Sequence, residues 1–413
     1  MANIPAQPVV SVVVPVYNAA QWLPESLSDL LGQSLRDAEF IFVDDGSSDG
    51  SLAMLEEAAA RDGRVRVLRQ ERGFAGAARN LGLDAARGKW FIALDADDRF
   101  KPRLLEAAVA RGEQTGADIV VFDVDRLVMP KAAIVPDPGL ARCGLLPDAP
   151  FRPGEDTFEV FRVAATWNKL HRTDFVRAHG LRYQETYECN DIRFSFLALA
   201  HAGRVAALPR VLLHYRTGLV DNVQSNKEAH PFDVLSAYSS LREMLVAGGL
   251  WPEFCRIFAT RAAMSLFGGR MAGFKTFKTA RDFADRLRQS ALAEFGLVGT
   301  GEADFVGPDA AALAAKLNDF LSLPFEDYLW RDFRAVVASR DSFRYKAYGA
   351  RRRLEIAKAA NARGEKVLAK ALRKLEAARK RIRSVRRSPA YRLGMALTWP
   401  LRAALSAVRR KNI

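Results

Sequence analysis

The sequence predicts an α/β fold: a mixed, largely parallel sheet, followed by a helical region and a basic helical tail. Three observations carry this. Strand and helix patterns alternate through the first hundred residues, the order expected of a parallel sheet covered on both faces. Two of the predicted strands run straight into acidic clusters, so polar groups gather where strands end. The charge is also split. Of a formal net +14 over 413 residues, residues 351–413 hold 20 Lys and Arg against three Glu, which leaves the first 350 residues slightly acidic.

Element by element, "VVSVVVPVY" is a β-branched strand ending near Pro15, and "AAQWLPESLSDLLGQS" carries apolar residues at helical spacing. "AEFIFVDDGSSDGS" is a second strand with a turn-rich end, followed by the helix "LAMLEEAAARD". "VRVLRQ" is a third strand, "AGAARNLGLDAARG" a helix closed by Gly88, and "KWFIALDADD" a fourth strand. "ADIVVFDVDRLV" adds another strand, and residues 130–155, rich in Pro and Gly, read as a loop. Short helices and strands mix from 156 to 225, including "RVAALPRVLLHYR"; residues 230–345 are mostly helical. Beyond them, Leu368, Leu372, Leu375 and Ile382 recur at heptad-like spacing, interrupted by Arg379. The domain division is therefore 1–225, a helical region 226–345, a basic helix 346–387 with coiled-coil character, and a basic amphipathic tail 388–413.

Composition excludes several classes. Cys143, Cys189 and Cys255 are far apart, which argues against a disulfide framework and fits a reducing compartment. The amino-terminal run lacks a preceding basic region and does not read as a signal peptide. No stretch approaches the ~20 apolar residues of a spanning helix. The expected location is cytoplasmic.

Open parallel sheets bind ligands at the carboxyl ends of their strands. Strand one supplies Tyr17 and Asn18 there, strand two Asp44, Asp45, Gly46, Ser47, Ser48 and Asp49, and strand four Asp95, Asp97 and Asp98. Each acidic cluster alone is a good turn; two at one sheet edge are harder to explain as turns. The position that a dinucleotide-binding G-x-G-x-x-G would occupy reads "PVYNAAQW", without glycine, and there is no P-loop. Carboxylates are hard ligands that suit Mg²⁺ or Mn²⁺ rather than zinc. A divalent cation and its diphosphate would offset the mutual repulsion of such a cluster.

"SVVVPVYNAAQWLPESLSDLLGQS", "FIFVDDGSSDGS", "GAARNLGLDAARGKWFIALDADD" and "TWNKLHRTDFVRAHGLRY" resemble, in order, the segments of inverting nucleotide-sugar glycosyltransferases of family 2. The resemblance covers about residues 8–225 and implies a GT-A fold. It implies that Pro15, Tyr17 and Asn18 border the nucleoside, with Tyr17 stacking on the base. It gives Asp44 to a uracil-type imide, with Asp45 and Ser47 shaping that pocket. Asp95-Ala96-Asp97 matches the D-x-D motif, Asp95 toward ribose and metal and Asp97 toward the metal that bridges the diphosphate. Arg79 matches a basic position near the nucleotide, and an ion pair with an acidic neighbour explains it equally well. Asp98 suits a helix cap as well as a ligand contact.

The family's base lies in a Glu-Asp-x-x-Phe-like segment, which here reads "YECNDIRFSF". Asp191 falls on the base position and Phe194 on the aromatic. Asn190 stands where many members have Glu, so Glu188 is kept as second choice for the base, and a capping role for Asp191 stays open. Trp167, Asn168 and Lys169 are assigned to the acceptor side, against a core role for the Trp. His214 is a candidate third metal ligand, against a structural imidazole. "RTGLVDNVQSNK", with Asn222 and Gln224, resembles a segment that closes over donor in relatives.

The implied function is metal-assisted, inverting transfer of a sugar, most simply from a UDP-sugar, to a cell-envelope glycan or lipid-linked acceptor. In the tail, Tyr391, Leu393, Leu397, Trp399, Leu401, Leu405 and Val408 sit among Arg392, Arg402, Arg409, Arg410 and Lys411, a pattern suited to an anionic membrane surface. With only two aromatics there, stacking on nucleic acid is disfavoured. A second reading stays open, a non-catalytic nucleotide-sensing or scaffold protein recruited by its basic tail; the helices from 230 to 345 are left to dimerise as a homo-oligomer, to bind acceptor or to pack against the catalytic domain. A nucleotidyltransferase would need a Gly-rich basic loop after strand one, which is missing.

Overall fold

The computed structural model describes residues 8–329, apart from 138, 142, 220–227, 268, 269, 271–273 and 275. The heptad segment 346–387, the tail 388–413, and Asn222 and Gln224 lie outside the described residues.

Four short, strongly apolar strands build the first half of the sheet: β1 (Val10–Val16), β2 (Ala38–Asp44), β3 (Val65–Arg69) and β4 (Trp90–Ala93). They pair in parallel in the order β3-β2-β1-β4. Helices α1 (Leu23–Leu31), α2 (Ser51–Arg61) and α3 (Phe74–Ala85) make the crossovers. A crossover helix between parallel strands covers a sheet face, which explains why β1, β2 and β4 are apolar on both sides.

The second half is mixed. Strands β5 (Arg99–Phe100), β6 (Ile119–Val128), β7 (Ala133–Val135), β8 (Lys169–Arg172) and β9 (Val205–Thr217) complete the nine-stranded sheet. β8 is antiparallel to both β4 and β6, whereas β9 runs parallel to β6. Helix α4 (Leu104–Thr115) ends at Gly116, whose φ of 60° supplies the left-handed stop that a side chain would resist. The Pro- and Gly-rich stretch after β6 is mostly turns, as its composition predicts, with β7 folded back on β6.

Register decides where the polar groups go. Val16 pairs with Asp44 and Val13 with Ala93, so the chain leaves β1, β2 and β4 at one edge of the sheet. Tyr17–Asn18, Asp45–Asp49 and Asp95–Asp98 are thereby gathered at that edge.

Helix α5 (Thr173–Ala178) follows β8, and α6 (Asn190–His201) precedes β9. The helical region then lies on α6. Helix α7 (Asp233–Ala247) packs on α6 and on α8 (Trp251–Phe267), and α8 meets the short 3₁₀ helix Glu155–Arg162 and the helix Ala310–Ser322. Its core is aliphatic and aromatic: Val234, Tyr238, Leu241, Phe254, Ile257, Phe258 and Leu317 are fully enclosed. The Tyr238 hydroxyl is satisfied by the Arg261 carbonyl at 2.9 Å and lies 2.7 Å from Ser265 Oγ. Among the described residues, no helix is long and apolar enough to cross a membrane.

Candidate active site

The strand ends are stitched together by their own polar side chains. Asn18 sits in the left-handed region (φ 48°); its N–H donates to Ser47 Oγ at 3.1 Å, and its side-chain oxygen accepts from the Ser48 N–H at 2.8 Å. Ala19 and Ala20 donate to Ser51 Oγ and Asp49 Oδ2. Gly46, at φ 76°, makes the turn that allows this.

Asp44 is buried, receives only a long bond of 3.4 Å from the Ser47 N–H, and leaves Oδ1 without a partner among the described residues. Asp45 is saturated instead, accepting from Gln70 Nε2 and the Gly73 N–H at 2.7 Å each and from the Arg72 guanidinium. That guanidinium lies over the Tyr17 ring, 3.4 Å from its centre. Tyr17 is exposed and Pro15 beneath it half-buried.

The acidic cluster after β4 has an uneven supply of donors. Asp95 accepts from Arg79 Nη2 at 2.6 Å. Burial and the charge of Asp95 push the Asp97 carboxyl up to about 6. Asp98, enclosed and facing Asp97 and Asp95, is raised as well; its Oδ1 accepts from the Arg216 N–H at 2.7 Å while Oδ2 has no partner among the described residues. Asp98 thus ties the cluster to β9, and α4 starts without a side-chain cap. Arg216 holds the cluster from outside: Nε donates to the Asp97 carbonyl at 2.5 Å, Nη2 pairs with Glu25 at 2.7 Å, and the group lies over the Trp22 ring.

Arg79 is buried and does two things at once. One nitrogen holds Asp95; the other, Nη1, donates to Asn190 Oδ1 at 2.6 Å. Burial works against its charge, but Asp95, Tyr183 and Asp191 outweigh that and hold the guanidinium firmly protonated. The amide at 190 accepts this bond without adding a further negative charge beside Asp95 and Asp191, which accounts physically for Asn at this position.

Cys189 occupies the N-cap position of α6, so Asp191 stands in the first turn of that helix. Its carboxyl is raised by burial and by Asp95, with Arg79 and Lys169 pulling the other way. Glu188 is buried and paired with Arg270. Phe194 stacks on Tyr183, ring centres 4.1 Å apart, beneath this turn.

The other anticipated residues are placed as follows. Trp167 stacks on Tyr215 at 5.0 Å and is half-buried. Asn168 donates to the Phe122 carbonyl, and the fully enclosed Lys169 amino group donates to the Val163 and Ala165 carbonyls and to Asn168 Oδ1 at 2.7–2.9 Å. These bonds order the 163–168 loop. His214 pairs with Arg99 across β5 and β9; burial depresses it most, with Lys101 and Arg99 acting in the same direction and Asp125 and Asp29 opposing. Arg72, Asn190, Arg216 and Arg270 were not singled out by sequence as site-forming. Their partners lie 27, 111, 119 and 82 residues away, and no periodic pattern marks such pairs.

Among the described residues, no three His, Cys, Asp or Glu side chains converge into a complete metal cage. Asp95 and Asp97 nonetheless fit a hard divalent cation. They are oxygen donors at a shared edge, and burial together with the Asp95 charge raises Asp97.

This mixed sheet, with its polar strand ends gathered at one edge, defines a domain of the GT-A class. The chain has the overall fold of Staphylococcus aureus TarS (residues 1–349, in complex with UDP), with a TM-score of 0.56 at 18% identity, covering 84% of this chain and 90% of that one. Residues 11–140 match the model described as Glycosyl transferase family 2. Similar proteins include the uncharacterized glycosyltransferase EpsJ of Bacillus subtilis, 32% identical over 210 residues, or 51% of this chain and 61% of EpsJ. The succinoglycan biosynthesis protein ExoO of Rhizobium meliloti is 27% identical over 303 residues, 72% of this chain and 82% of ExoO. The chain spans less than two thirds of the length of EpsJ and of the putative glycosyltransferase EpsH of B. subtilis, 61% and 63%.

Proposed function

We propose that this chain is an inverting glycosyltransferase that moves a sugar from a nucleotide-diphosphate donor, a UDP-sugar in the first instance, to a hydroxyl of an envelope glycan or lipid-linked acceptor. One observation carries the reading: Arg79 grips Asp95 and Asn190 at once, which sets the first turn holding Asp191 beside the donor-side carboxylates. The likeness to ExoO supports a glycan product, and the bond-free Asp44 Oδ1 supports recognition of an imide N–H on the base.

Asp95 and Asp97 would hold Mg²⁺ or Mn²⁺. Bound there, the ion supplies Lewis-acid stabilisation of the departing diphosphate. The protein's own groups do the rest. Tyr17 offers a ring face to the base, and Asn18 and Ser47 order the loops around it. Asp191, its basicity raised by burial, takes the proton from the acceptor hydroxyl as that oxygen bonds to the anomeric carbon. One base carboxylate is enough for single displacement, and inversion follows. Glu188, neutralised by Arg270, is the weaker candidate for the base. The tail 388–413 would keep the enzyme at the anionic inner face of the cytoplasmic membrane, within reach of a lipid-linked acceptor.

The test is calorimetry of a nucleoside-diphosphate panel with and without Mn²⁺, on wild type and Asp97→Ala. We expect one nucleotide to bind with metal dependence, and the substitution to weaken that binding by about 100-fold. Folded protein that binds no nucleotide overturns the proposal in favour of a scaffold.

A further inference from the structure

We propose that Arg270, from the helical region, is a positioning residue for the base: it clamps the turn 186–190 and so sets the direction in which α6 presents Asp191. The inference rests on the reading of Asp191 as base, and it gives the helical region a part in the reaction.

The turn needs holding. Cys189 adopts φ 59°, ψ 18°, the left-handed region that non-glycine residues enter only when their surroundings impose it. This kink redirects the chain into α6 immediately before Asp191. Within the turn, Thr186 Oγ1 donates to the Glu188 carbonyl at 2.8 Å, and Asn190 Nδ2 reaches the Thr186 carbonyl at 3.4 Å. Such short-range bonds do not fix the turn against the rest of the protein.

Two grips from the helical region do. At the start of α7, Asp233 Oδ2 accepts the Glu188 N–H at 3.0 Å. Arg270 then closes from the side: Nη1 pairs with the Glu188 carboxylate, and Nη2 donates to Cys189 Sγ at 3.1 Å. The guanidinium therefore binds the kinked residue and the one before it. Glu188 is 5% and Arg270 7% exposed, so neither charge has water as an adequate alternative. Burial opposes the charge on Arg270, while Cys189 and Glu188 uphold it. On the opposite side of the turn, Arg79 holds Asn190. Asp191 thus follows a segment gripped by one arginine from the donor side and another from the helical region. Two further bonds run from the same neighbourhood to α7, Gln184 Nε2 to Ser236 Oγ at 2.9 Å and Arg193 Nη1 to Ser240 Oγ at 3.0 Å. Arg270 itself touches none of Tyr17, Asp44, Asp95 or Asp97, and the turn reaches Asp95 one step removed, through Asn190 and Arg79, so loss of the clamp should disturb the base far more than the nucleotide.

The experiment uses the full chain as wild type, Arg270→Ala, Arg270→Lys, Glu188→Gln and Asp191→Asn. Three quantities are read: UDP affinity with Mn²⁺, the rate of UDP release from UDP-glucose, UDP-N-acetylglucosamine and UDP-galactose with water as acceptor, and amide hydrogen exchange of residues 184–196. For Arg270→Ala we expect UDP affinity and donor KM within about twofold of wild type, kcat lowered about tenfold or more, and faster exchange confined to 184–196. Arg270→Lys, which restores a charge but not the fork, should recover part of both. Glu188→Gln should move both in the same direction by less. Unchanged exchange and turnover in Arg270→Ala overturn the inference. So does a loss of UDP affinity in parallel with turnover, since a general structural role predicts that. If Arg270→Ala does not fold, the Lys and Gln variants are judged by the same criteria. Asp191→Asn separates the two claims: wild-type turnover in that variant removes the base assignment, whereas the exchange of 184–196 in Arg270→Ala still decides whether the clamp exists.

Discussion

The sheet buries carboxylates at both of its edges, and treats them in opposite ways. At the amino edge, Glu39 is wholly enclosed, yet its carboxylate accepts from Ser11 Oγ at 2.6 Å, the Arg87 N–H at 2.7 Å, and the guanidinium groups of Arg66 and Arg87 at 2.8–3.1 Å. Burial would raise its pKa, but these donors outweigh burial and hold it below the usual 4.5. At the carboxyl edge, Asp97 is pushed up to about 6 and Asp98 is raised with one oxygen unpaired. A charge placed for stability is given every donor it can use. The carboxylates at the other edge are left short of donors and repel one another, as the proposed cation site requires.

The largest effect should follow from emptying the saturated site. Glu39→Ala takes the carboxylate from the Ser11 hydroxyl and from two guanidinium groups, while the Arg87 N–H keeps Ser11 Oγ at 3.1 Å. We expect a loss of about 2–4 kcal/mol, below the range for fully enclosed pairs because Arg66 and Arg87 side chains are 29% and 40% exposed and can turn to water. Chemical denaturation measures it. The Asp97→Ala variant should behave oppositely: its midpoint should equal or exceed that of the metal-free wild type, since repulsion is removed, while metal-dependent nucleotide binding is lost. If both substitutions destabilise alike, the contrast between the two edges fails.

The next effect is a slope with pH. A carboxylate held below its unfolded pKa contributes stability that is fully present above about 4.5 and is lost as pH falls through the lower, folded value. Below about pH 4.5 the unfolded chain binds the proton that native Glu39 refuses, so stability should fall by up to ~1.4 kcal/mol per pH unit from this one group. Glu39→Gln should flatten the acid limb by that amount, measured as denaturation midpoints from pH 6 to 3. An unaltered limb would mean the arginines do not hold the charge as described.

This contrast also marks how much could be read in advance. The strands of the first half announce themselves by β-branched runs, and the register that aligns Val16 with Asp44 follows from parallel pairing. The acidic clusters at the carboxyl edge were therefore legible as "VDDGSSDG" and "LDADD". Glu39 was not: in "AEFIFVDD" it looks like a surface residue at a strand's start, and its partners come from 27 to 48 residues away. Lys169 shows the same limit. Beside Trp167 and Asn168 it reads as a lysine reaching for substrate, but three oxygens of its own loop enclose its amino group. Periodicity reports which face is apolar; it is silent on which distant arginine meets which acid. The Arg79 and Arg270 grips on 188–190 belong to that silent class.

The smallest and most discriminating change at the amino edge is Ser11→Ala. The Ser11 hydroxyl donates to Glu39 and accepts from the Arg87 and Gly88 N–H groups at 3.1 and 2.8 Å. The Arg87 N–H keeps its bond to Glu39 Oε1 at 2.7 Å, whereas the Gly88 N–H loses its sole partner among the described residues. Gly88 cannot move away to find water, because the chain there runs within van der Waals reach of β1; a Cβ on Gly88 would lie 2.5 Å from the Ser11 nitrogen. We therefore expect about 1–2 kcal/mol, from one orphaned N–H and one lost donor to a charged acceptor. Glu39 retains both arginines, so the acid limb should shift only slightly. A Ser11→Ala loss matching that of Glu39→Ala would mean that the hydroxyl, rather than the two guanidinium groups, is what makes a buried carboxylate tolerable at this edge.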